Sequence, residues 1–395
     1  MNRPELLRAG WVLPIEGDPI ADAAVAVSEG RVVWVGLASD SGRPGWPVRD
    51  MGPGVLLPGL VNAHTHLELS ALAGSVSGAR GFTEWVRALV EARPGVAPED
   101  ARAAARDAIA GLEAAGTMAV GDVSNSLEHL DLLGQASIDA VVFYEQLAWD
   151  PARAGEVLER ADLKLRGLAL PANVEVRLAA HAPHSVSAAL MRGLVARGGP
   201  AALHLAESPD ESRFLRSGDG PWREFLLARV GNIPFDAPGQ SPVAYVEGLG
   251  ALHPGLLAAH CVQLDAPDIA RLASRRVSVV ACPRSNRALG LEVPPVPELL
   301  AAGVNVALGT DSLASAPSLD VLDDAVALAR EFPSLAAGAI LRAATLGGAR
   351  ALGRGELGSI APGRRAALVF APAPVDLADP EGFLLSGRAR LRRVA

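Results

Sequence analysis

Two histidines stand one residue apart at the end of an apolar run, in the segment LPGLVNAHTHLELS of residues 57–70. The run is typical of a buried β-strand, in which alternate side chains point to the same face. The spacing therefore predicts that His64 and His66 leave that face together. Imidazole nitrogen is a preferred ligand of divalent ions such as Zn²⁺. A lone His-x-His pair is also compatible with ordinary loop residues, so the rest of the chain decides between the two interpretations.

Other reactive residues also stand where apolar runs end. His181, His204, His260 and Asp311 each end a later run, while His184 and Glu207 follow in adjoining loops. Each of these residues, taken alone, could have an ordinary structural role: a histidine could be part of the core, and Asp311 could be a helix N-cap. Together they offer four nitrogen or oxygen ligands from three strands, with a carboxylate and an imidazole left over. This set predicts a mononuclear catalytic metal site with one position open for water. The remaining histidines, His129 and His253, are interpreted as surface or helix residues.

The middle of the chain, about residues 56–352, alternates strand-like runs with amphipathic helical patterns such as those after Pro98 and Ala266. This alternation is typical of parallel β/α units. Eight candidate strands predict a TIM-type barrel, whose chemistry lies at the C-terminal ends of the strands. They are VLLPGLVNAH, TMAVGDV, IDAVVFYEQL, VEVRLAAHA, AALHLAE, GLLAAHC, VSVVACP and VNVALGTD. The segment 217–239, rich in Gly, Pro and Trp, is predicted to cross the mouth of the barrel.

The two ends of the chain resemble each other and differ from the middle. Residues 5–53 contain short alternating apolar runs around a tight turn, SEGR at 28–31, and strand-like runs return at 358–372 and 387–394. We expect these ends to pair into one small sheet domain. The predicted division is therefore 1–55 and 353–395 for that domain, with 56–352 forming the barrel.

Composition narrows the classes of partner. The formal net charge of −8 argues against a nucleic-acid surface, so a small-molecule substrate is expected. No run reaches the roughly 18–20 apolar residues of a membrane span, and no signal peptide is recognised, which predicts a cytoplasmic protein without a membrane partner. Cys261 and Cys282 lie in apolar runs and are interpreted as buried reduced thiols.

Six short motifs together carry a family resemblance that extends over essentially the whole chain: NAHTHLELS, HAPHSVS, HLAES, AHC, CPRSN and LGTDS. The chain resembles the amidohydrolase superfamily, in its mononuclear branch of nucleobase and nucleoside aminohydrolases and chlorohydrolases. The resemblance implies an α/β fold, a distorted (β/α)₈ barrel with a small composite β-sandwich built from both termini. It also implies one divalent metal ion, with Zn²⁺ favoured and Fe²⁺ an alternative, and it allows a homodimer.

The resemblance also assigns roles to residues that match the motifs. The implied metal ligands are His64, His66, His204 and Asp311. Asp311, Glu207 and His260 are the implied catalytic residues, with Glu207 as proton shuttle and His260 orienting the attacking water. The residues implied to contact substrate are Trp85, as an aromatic wall at the entrance, His181, at the substrate ring, and His184, Asn286 and Ser312.

The position of the single lysine distinguishes branches of this superfamily. Binuclear members bridge two metals with a carboxylated lysine at the end of the fourth strand, but the single lysine here, Lys164, precedes that strand. A dihydroorotase-like or hydantoinase-like site is therefore disfavoured. A cytidine-deaminase type of zinc site is also missing, because the chain lacks its HxE and PCxxC motifs.

The expected reaction is hydrolytic deamination of an amino-substituted purine or related heterocycle. A divalent ion lowers the pKa of a bound water from about 15.7 to about 7, so hydroxide is available near neutral pH to attack the amine-bearing carbon. The motifs are most similar to enzymes that deaminate 6-aminodeoxyfutalosine, an intermediate of menaquinone biosynthesis. A chlorohydrolase or a cyclic-amide hydrolase similar to imidazolonepropionase would use the same ligands. A non-enzymatic scaffold is disfavoured, because every implied ligand is present.

Recognition of a sugar is left open by the sequence. Nucleoside deaminases of this branch carry a ribose-binding glutamate shortly after the entrance tryptophan. Pro94 stands about where that glutamate would fall, with Glu91 nearby. The sequence therefore does not predict how the side group of the substrate is held.

Overall fold

The computed structural model describes residues 4–43, 45–76 and 81–394. Within these ranges no helix is long and apolar enough to cross a membrane. The strands, in chain order, are β1 (Glu5–Val12), β2 (Ile20–Ser28), β3 (Arg31–Leu37), β4 (Val48–Asp50), β5 (Gly54–Pro58), β6 (Leu60–Thr65), β7 (Thr117–Ser124), β8 (Asp139–Gln146), β9 (Val174–Ala180), β10 (Ala202–Leu205), β11 (Leu257–His260), β12 (Ser278–Ala281), β13 (Asn305–Leu308), β14 (Leu368–Pro372) and β15 (Arg392–Val394).

Helices separate most of the strands of the middle region. They are α1 (Phe82–Ala92), α2 (Pro98–Ala114), α3 (Leu130–Gln135), α4 (Ala154–Arg166), α5 (Ala188–Val195), α6 (Pro209–Ser217), α7 (Pro221–Val230), α8 (Pro242–Gly248), α9 (Ala266–Ser274), α10 (Pro283–Ala288), α11 (Val296–Ala301), α12 (Val321–Glu331), α13 (Ala337–Arg342), α14 (Gly348–Ala351) and α15 (Pro380–Leu385). Short 3₁₀ turns lie at Ala38–Asp40, Leu67–Leu72, Arg93–Gly95 and Pro151–Arg153, and a π turn at Ala343–Gly347 joins α13 to α14.

The two ends of the chain do pair into one sheet, as predicted. Strands β1 to β5 join β14 and β15 in a seven-stranded sheet, in which β14 lies antiparallel to both β5 and β15. The predicted turn between β2 and β3 is confirmed, since Ser28 pairs with Arg31 across it. Glu29 and Gly30 both have positive φ, 52° and 72°, which matches the two-residue turns that suit strand twist.

All eight predicted strands of the middle region are present as β6 to β13. They form two four-stranded parallel sheets, ordered β6-β7-β8-β9 and β10-β11-β12-β13. Backbone hydrogen bonds also join the sheets at both edges. At one edge the amide of His204 donates to the carbonyl of His181 over 2.8 Å, and at the other the amide of Asp311 donates to the carbonyl of His64 over 3.1 Å. These two junctions bring the carboxyl ends of the two sheets to one mouth.

The prediction of one long first strand was wrong. The run VLLPGLVNAH divides at Gly59 into β5, which belongs to the terminal sheet, and β6, which begins the parallel sheets. A Cβ atom at Gly59 would fall 2.0 Å from Cγ of Met118, so only glycine fits this close crossing. The periodicity of an apolar run does not reveal where a strand changes its partner, because both halves are buried.

The segment 217–239 contributes to the mouth, as predicted, but it is more regular than its sequence suggested. It contains the helix α7, with Trp222, Phe225 and Leu226 buried. Pro221 occupies the first turn of this helix, where its missing amide hydrogen costs nothing. The helix therefore presents aromatic side chains toward the residues at the strand ends.

Candidate active site

The four residues implied as metal ligands converge at the mouth. Nε2 of His66 lies 3.2 Å from Nε2 of His204 and 3.5 Å from Oδ1 of Asp311. Nε2 of His64 lies 3.8 Å from the same carboxylate oxygen, and its ring centroid is 4.9 Å from that of His204. The donors come from β6, β10 and the loop after β13. Strands distant in sequence thus bring three imidazoles and one carboxylate to a single point.

These donor atoms fit a divalent ion. Ligands at the usual Zn–N distance of about 2.0–2.1 Å in a tetrahedral site are roughly 3.3 Å from one another, close to the separations found here. Both ring nitrogens of the buried His64 lack a hydrogen-bond partner, which is costly unless another ligand is bound. Nδ1 of His204 donates to the carbonyl of His181 over 2.9 Å, which leaves Nε2 with its lone pair free.

The protonation states of these groups also suit metal binding, which requires neutral imidazoles and a carboxylate. Burial lowers the pKa of His66, and it lowers those of His64 and His204 well below the ordinary value, with neighbouring imidazoles adding to the effect for these two. Burial alone would raise the pKa of Asp311, but the nearby His66 and His260 lower it below its usual range. The site is therefore arranged as three lone-pair donors and one anion.

Asp311 is held in place by its second oxygen. Oδ2 accepts hydrogen bonds from Oγ of Ser285 at 2.6 Å and Oγ of Ser315 at 3.0 Å, which leaves Oδ1 to face the imidazoles. Gly309 lets β13 come close to β6, because a Cβ atom there would lie 2.8 Å from both Cβ and the carbonyl oxygen of His64. The glycine thus allows the backbone contact that positions the aspartate.

Backbone conformations that are unusual for residues other than glycine occur at the same strand ends. Ala206, His260 and Asp311 have positive φ angles of 51°, 70° and 58°. Such conformations cost of order 1–3 kcal/mol each and are found preferentially at functional sites, where the surrounding structure enforces them. The turn after each strand therefore redirects the chain into the mouth.

Glu207 and His260 form the pair that could handle protons. Oε1 of Glu207 lies 3.5 Å from Nε2 of His260. Burial raises the pKa of Glu207 to about 7, although His260 lowers it. For His260, burial lowers the pKa, but Glu207 and Asp311 raise it above the ordinary value. A carboxyl group with a pKa near neutrality can both accept and release a proton at physiological pH.

Asn286 has a different place from the one implied by the family resemblance. It is fully buried and does not line the cavity, and its Oδ1 lies 3.1 Å from Nδ1 of His260. This contact makes Nδ1 the protonated nitrogen of His260 and leaves Nε2 facing Glu207. Its Nδ2 donates to the carbonyl of Glu292 over 3.3 Å. Asn286 is thus a positioning residue for His260, and its place does not support contact with substrate.

Glu211, which sequence reasoning did not single out, holds the loop that carries Glu207. Its buried carboxylate accepts the backbone amides of Ala206 at 3.0 Å and Glu207 at 2.8 Å. Ser208 caps α6 and so places Glu211 under this loop. The capping pattern of a serine followed three residues later by a glutamate, Ser208 and Glu211, could have indicated that this carboxylate turns back toward the start of the helix.

The interpretation of His129 as a surface or helix residue was wrong. His129 is buried just before α3, and its Nε2 lies 2.6 Å from Oδ2 of Asp122 at the end of β7. The other oxygen of Asp122 accepts the amide of Leu67, the residue after His66. His253 lies in a partly buried loop, with its Nε2 3.1 Å from the carbonyl of Pro200. The pair of His129 and Asp122 therefore holds the backbone of the segment NAHTHLELS just after His66.

A cavity of about 600 Å³ opens above these groups. His181 and Ser312 line it, as does Trp85, so the structure brings these three predicted contact residues to the mouth. Nδ1 of His181 lies 2.5 Å from Oγ of Ser185, and burial lowers its pKa well below the ordinary value, so its ring is neutral. The aromatic side chains of the wall are Phe82, Trp85, Trp149, Trp222 and Phe225.

His184 does not line the cavity. It is buried behind the wall, where its ring packs edge-on against Trp222 at a centroid distance of 4.2 Å. Its carbonyl accepts the indole N–H of Trp222 over 2.6 Å. His184 therefore supports an aromatic wall residue, and its place gives no support to the prediction that it contacts substrate.

A polar network that also lines the cavity was missed by sequence reasoning. Arg93 contacts Glu68 at 2.5 Å and Asn125 at 3.1 Å, and Asn125 in turn donates to Glu145 over 2.8 Å. All four residues line the cavity. Glu145 is the last residue but one of β8, so the criterion that selected the histidines, a polar residue near a strand end, would also have selected this glutamate.

The two cysteines agree with the sequence interpretation. Cys261 and Cys282 are both free and buried. Burial raises the pKa of both thiols well above the ordinary value, so neither is a reactive thiolate near neutral pH.

Comparisons with known proteins agree with this site. The model of the amidohydrolase family matches residues 55–388. The aminodeoxyfutalosine deaminase of Deinococcus radiodurans is 34% identical over 316 residues, 76% of this chain and 73% of that protein. The 5-methylthioadenosine/S-adenosylhomocysteine deaminase of Moorella thermoacetica is 32% identical over 397 residues, 95% of this chain and 86% of that protein.

A solved structure supports the same assignment. The crystal structure of an adenosine deaminase from Xanthomonas campestris with bound zinc is 30% identical and superposes with a TM-score of 0.78, over 98% of this chain and 90% of that one. The fold is thus the TIM-barrel-type α/β fold, and the zinc of this neighbour together with the cluster of histidines and aspartate supports a metal site here. On the family model, the relatives and the site together, the chain belongs to the amidohydrolase family.

Proposed function

We propose that this hydrolase of the amidohydrolase family deaminates adenosine-like nucleosides, with 6-aminodeoxyfutalosine as its substrate. The observation that carries the proposal is the position of Glu207 and His260, 3.5 Å apart, beside the four donors at the bottom of an aromatic-walled cavity. The names of the relatives, which are deaminases of adenine nucleosides, support the same reaction.

The proposed metal ligands are His64, His66, His204 and Asp311, whose mutual distances and protonation states fit one divalent ion. Such an ion, when bound, supplies a Lewis acid that lowers the pKa of a water molecule toward neutrality. We propose Zn²⁺, because the similar adenosine deaminase from Xanthomonas campestris holds zinc and because three histidines with one carboxylate suit this ion. Fe²⁺ accepts the same ligands.

The proposed proton transfers belong to Glu207. It takes a proton from the attacking water, delivers it to a ring nitrogen of the substrate, and so makes the neighbouring amine-bearing carbon more electrophilic. After water has added to that carbon, Glu207 transfers the second proton from the added hydroxyl group to the amino group, which leaves as ammonia while a carbonyl group forms. Nε2 of His260, whose ring is fixed by Asn286, orients the water, and Asp311 accepts a hydrogen bond from it. The neutral ring of His181 is placed to hydrogen-bond the heterocycle.

The choice of substrate rests on the cavity and on the relatives. A wall of Trp85, Trp149 and Phe225 offers flat apolar surfaces to a purine and to an aromatic side group. The Deinococcus radiodurans relative supports 6-aminodeoxyfutalosine, whereas the Moorella thermoacetica relative supports methylthioadenosine and S-adenosylhomocysteine. We propose the former because the sequence motifs around the site resemble those of its deaminases most.

Ammonia release tests this proposal. Zinc-loaded protein is incubated separately with 6-aminodeoxyfutalosine, adenosine, methylthioadenosine, S-adenosylhomocysteine and guanine, and chelator-treated protein serves as the control. We expect the highest kcat/KM for 6-aminodeoxyfutalosine and none after chelation. A higher value for another nucleoside would replace the proposed substrate. Ammonia from none of the five, or turnover only of a chlorinated or cyclic-amide compound, would contradict the deaminase.

We also propose an architecture for the whole chain. The hydrogen bonds at both sheet edges close β6 to β13 into one distorted barrel, and the sheet built from the two ends of the chain forms a small β-sandwich. The proposed domain ranges remain 1–55 and 353–395 for the terminal domain and 56–352 for the barrel. The homodimer stays a prediction, which sedimentation of the purified protein tests.

A further inference from the structure

Arg284 belongs to the motif CPRSN, but the proposed reaction gives it no role. It stands in the first turn of α10, its side chain is 13% exposed, and it is not among the described residues that line the cavity. All five N–H groups of its guanidinium nevertheless have acceptors. An arginine that uses its whole planar donor set fixes the elements that supply the acceptors. The identity of those acceptors therefore indicates what Arg284 does.

The acceptors of Arg284 belong to the loop of residues 312–320 and to the start of α12, which follows that loop. They are Oδ2 of Asp324 at 2.9 Å, Oγ of Ser318 at 2.8 Å, Oδ2 of Asp323 at 3.2 Å, the carbonyl of Ser318 at 2.8 Å and the carbonyl of Asp320 at 3.0 Å. The loop begins directly after Asp311. Arg284 therefore joins α10 to the segment that leads away from the proposed metal ligand.

The ion pair of Arg284 with Asp324 makes this junction rigid. Asp324 is fully buried, and its Oδ2 lies 2.7 Å from Nη2 of Arg284. Its other oxygen accepts the backbone amide of Arg284 over 3.1 Å, so one carboxylate holds both the side chain and the backbone of this residue. Hydrogen bonds to a charged group are short and strong, and two of them on different oxygens orient the carboxylate. The starts of α10 and α12 are thus fixed relative to each other.

The two elements that Arg284 joins supply the hydrogen bonds to Asp311. Ser285, the next residue of α10, places its Oγ 2.6 Å from Oδ2 of Asp311, and Ser315 of the loop places its Oγ 3.0 Å from the same oxygen. The two hydroxyl oxygens are 2.9 Å apart. A shift of α10 relative to the loop would separate these three oxygens. Oδ1 of Asp311 would then no longer be held toward the imidazoles.

The same helix also supports His260. Asn286 is two residues after Arg284, and its Oδ1 lies 3.1 Å from Nδ1 of His260. Three consecutive residues of α10 thus provide an anchor, a contact to Asp311 and a contact to His260. Because they follow one another on one helical turn, the two contacts depend on where the anchor places the helix.

We propose that Arg284 is a positioning residue, which holds Asp311 and His260 in their reacting orientation by joining α10 to the loop of residues 312–320. The inference rests on the proposed function, because it requires a metal ion at the four donors. Residues that hold metal ligands through hydrogen bonds typically contribute about 10- to 100-fold to metal affinity or activity. Arg284 acts one step further out, through the residues that follow it on α10 and through the loop.

A paired variant tests this role without leaving an isolated charge in the core. Arg284→Met alone would leave the buried carboxylate of Asp324 without its cation, which is strongly destabilising. The paired variant is therefore Arg284→Met with Asp324→Asn, in which the asparagine oxygen still accepts the backbone amide of residue 284. Arg284→Lys is the conservative variant, because lysine keeps the charge but not the planar set of donors.

Arg287→Met is the matched control. Arg287 lies on the same helix and also forms an ion pair with α12, at Glu331, but its side chain is 51% exposed. An exposed pair of this kind contributes little to stability. Thermal unfolding of every variant identifies a temperature at which all of them are folded, and the measurements are made there.

The first measurement is the rate at which a chelator removes zinc from the loaded protein, which needs no substrate. We expect zinc release from the paired variant to be about tenfold faster or more than from the wild type, with Arg284→Lys between the two. Arg287→Met should stay within about twofold of the wild type.

The second measurement is kcat and KM for the compound that the wild type turns over fastest, whether nucleoside, chlorinated ring or cyclic amide. In the paired variant kcat should fall about tenfold or more, whereas KM should change less than about threefold, because the residues that line the cavity are unaltered.

Combination with Ser285→Ala separates positioning from a general loss of stability. Ser285→Ala removes a hydrogen bond to Asp311 directly, so it should also speed zinc release. If Arg284 acts through this contact, the paired variant should add much less to zinc release when residue 285 is already alanine, because residues in one network are not additive. Arg287→Met should show no such coupling to Ser285→Ala.

The outcomes separate the two proposals. Unchanged zinc release and unchanged kcat in a folded paired variant overturn the positioning role and leave the deaminase intact. Effects of the paired variant and Ser285→Ala that simply multiply also overturn it, because Arg284 would then act on stability alone. A wild type that releases ammonia from none of the compounds refutes the deaminase, and zinc release still decides the role of Arg284. A wild type that binds no zinc refutes both.

Discussion

Replacing Glu207 by glutamine removes one ionisable oxygen from the reaction centre at nearly constant shape. The side chain is 5% exposed, and its Oε1 lies 3.5 Å from Nε2 of His260. Its backbone amide is held by Glu211 over 2.8 Å, a contact that the substitution does not touch. We therefore expect Glu207→Gln to fold with the mouth unchanged and to bind zinc as the wild type does, because Glu207 is not among the four proposed ligands.

The expected loss of activity follows from the role of Glu207. A positioned proton-transfer group contributes about 10²–10⁴ in rate, and each tenfold corresponds to about 1.36 kcal/mol in the barrier. In Glu207→Gln, kcat should fall by at least about 10²-fold. KM should change much less, because the lost transfer acts in the transition state. In the wild type, the pH dependence of kcat/KM should contain an ionisation near the pKa of about 7 that burial gives Glu207. The variant should lack the contribution of Glu207, so its pH profile should differ from that of the wild type.

Although Glu207→Gln should lose activity, its thermal stability in the metal-free state should rise. Burial raises the pKa of Glu207 from its ordinary value of 4.5 to about 7. A carboxyl group whose pKa is raised on folding favours the native state fully below the unfolded pKa, and this contribution is lost as the pH rises through 7. The rise corresponds to about 3 kcal/mol at 1.36 kcal/mol per pKa unit. Metal-free Glu207→Gln should therefore unfold at a higher temperature than metal-free wild type at pH 8.

The assay combines ammonia release, metal analysis and thermal unfolding on wild type, Glu207→Gln and the control Asp150→Asn. The control carries the same carboxylate-to-amide change at a partly exposed position of the cavity lining, so it should keep wild-type turnover. Turnover by Glu207→Gln within about threefold of the wild type, at equal zinc content, would refute the assignment of proton transfer. A variant without zinc would instead show that Glu207 contributes to metal binding, which also contradicts the reasoning.

Three further predictions follow from the site and its supports. His204→Gln should lower the zinc content of the purified protein from one per chain to well below one, measured by elemental analysis, whereas Asp150→Asn should keep it near one. Asn286→Leu removes the acceptor of the N–H at Nδ1 of His260. The kcat should therefore fall about tenfold or more and the pH profile of kcat should shift, while the zinc content stays unchanged. An unchanged pH profile would argue against the positioning role of Asn286. Gly309→Ala should destabilise the protein by about 1–3 kcal/mol, because its Cβ atom would lie 2.8–2.9 Å from three atoms of His64 in the adjacent strand. The control Gly111→Ala, on the exposed face of α2, should instead stabilise the protein by about 0.5–1 kcal/mol. Equal melting temperatures of the two variants would contradict the close approach at Gly309.

Much of the site could be predicted from the sequence because its residues stand where apolar runs end. A buried parallel strand is a short apolar run, and the first polar residue after it lies at the carboxyl edge, where strands of an α/β fold present their chemistry. For this reason the order of residues alone predicts that His64, His204 and Asp311 lie together. The motif resemblance then supplied roles for Glu207 and His260 that position alone did not.

Residues that act through another residue could not be placed in the same way. Asn286 stands in a recognisable motif, yet its side chain turns to Nδ1 of His260 instead of the cavity. His129 stands outside a strand end, yet it is buried against Asp122. Neither contact has a sequence period, because each joins two elements through tertiary packing. Their partners are fixed only when the loops have been placed.

The amino-acid sequence by itself determined the alternation of strands and helices, the identity of the proposed metal-binding donors and the class of reaction they suit. These features depend on local periodicity and on the chemistry of single side chains, which the order of residues contains directly. Only the tertiary structure decided which oxygen of each carboxylate is free. Asp311 has one oxygen turned to the imidazoles, Glu68 has none left, and Glu145 keeps one without a hydrogen-bond partner, 3.6 Å from Nδ1 of His204. The reason is that hydrogen-bond satisfaction is a property of the neighbours that packing supplies, and those neighbours come from strands and loops far apart in the chain.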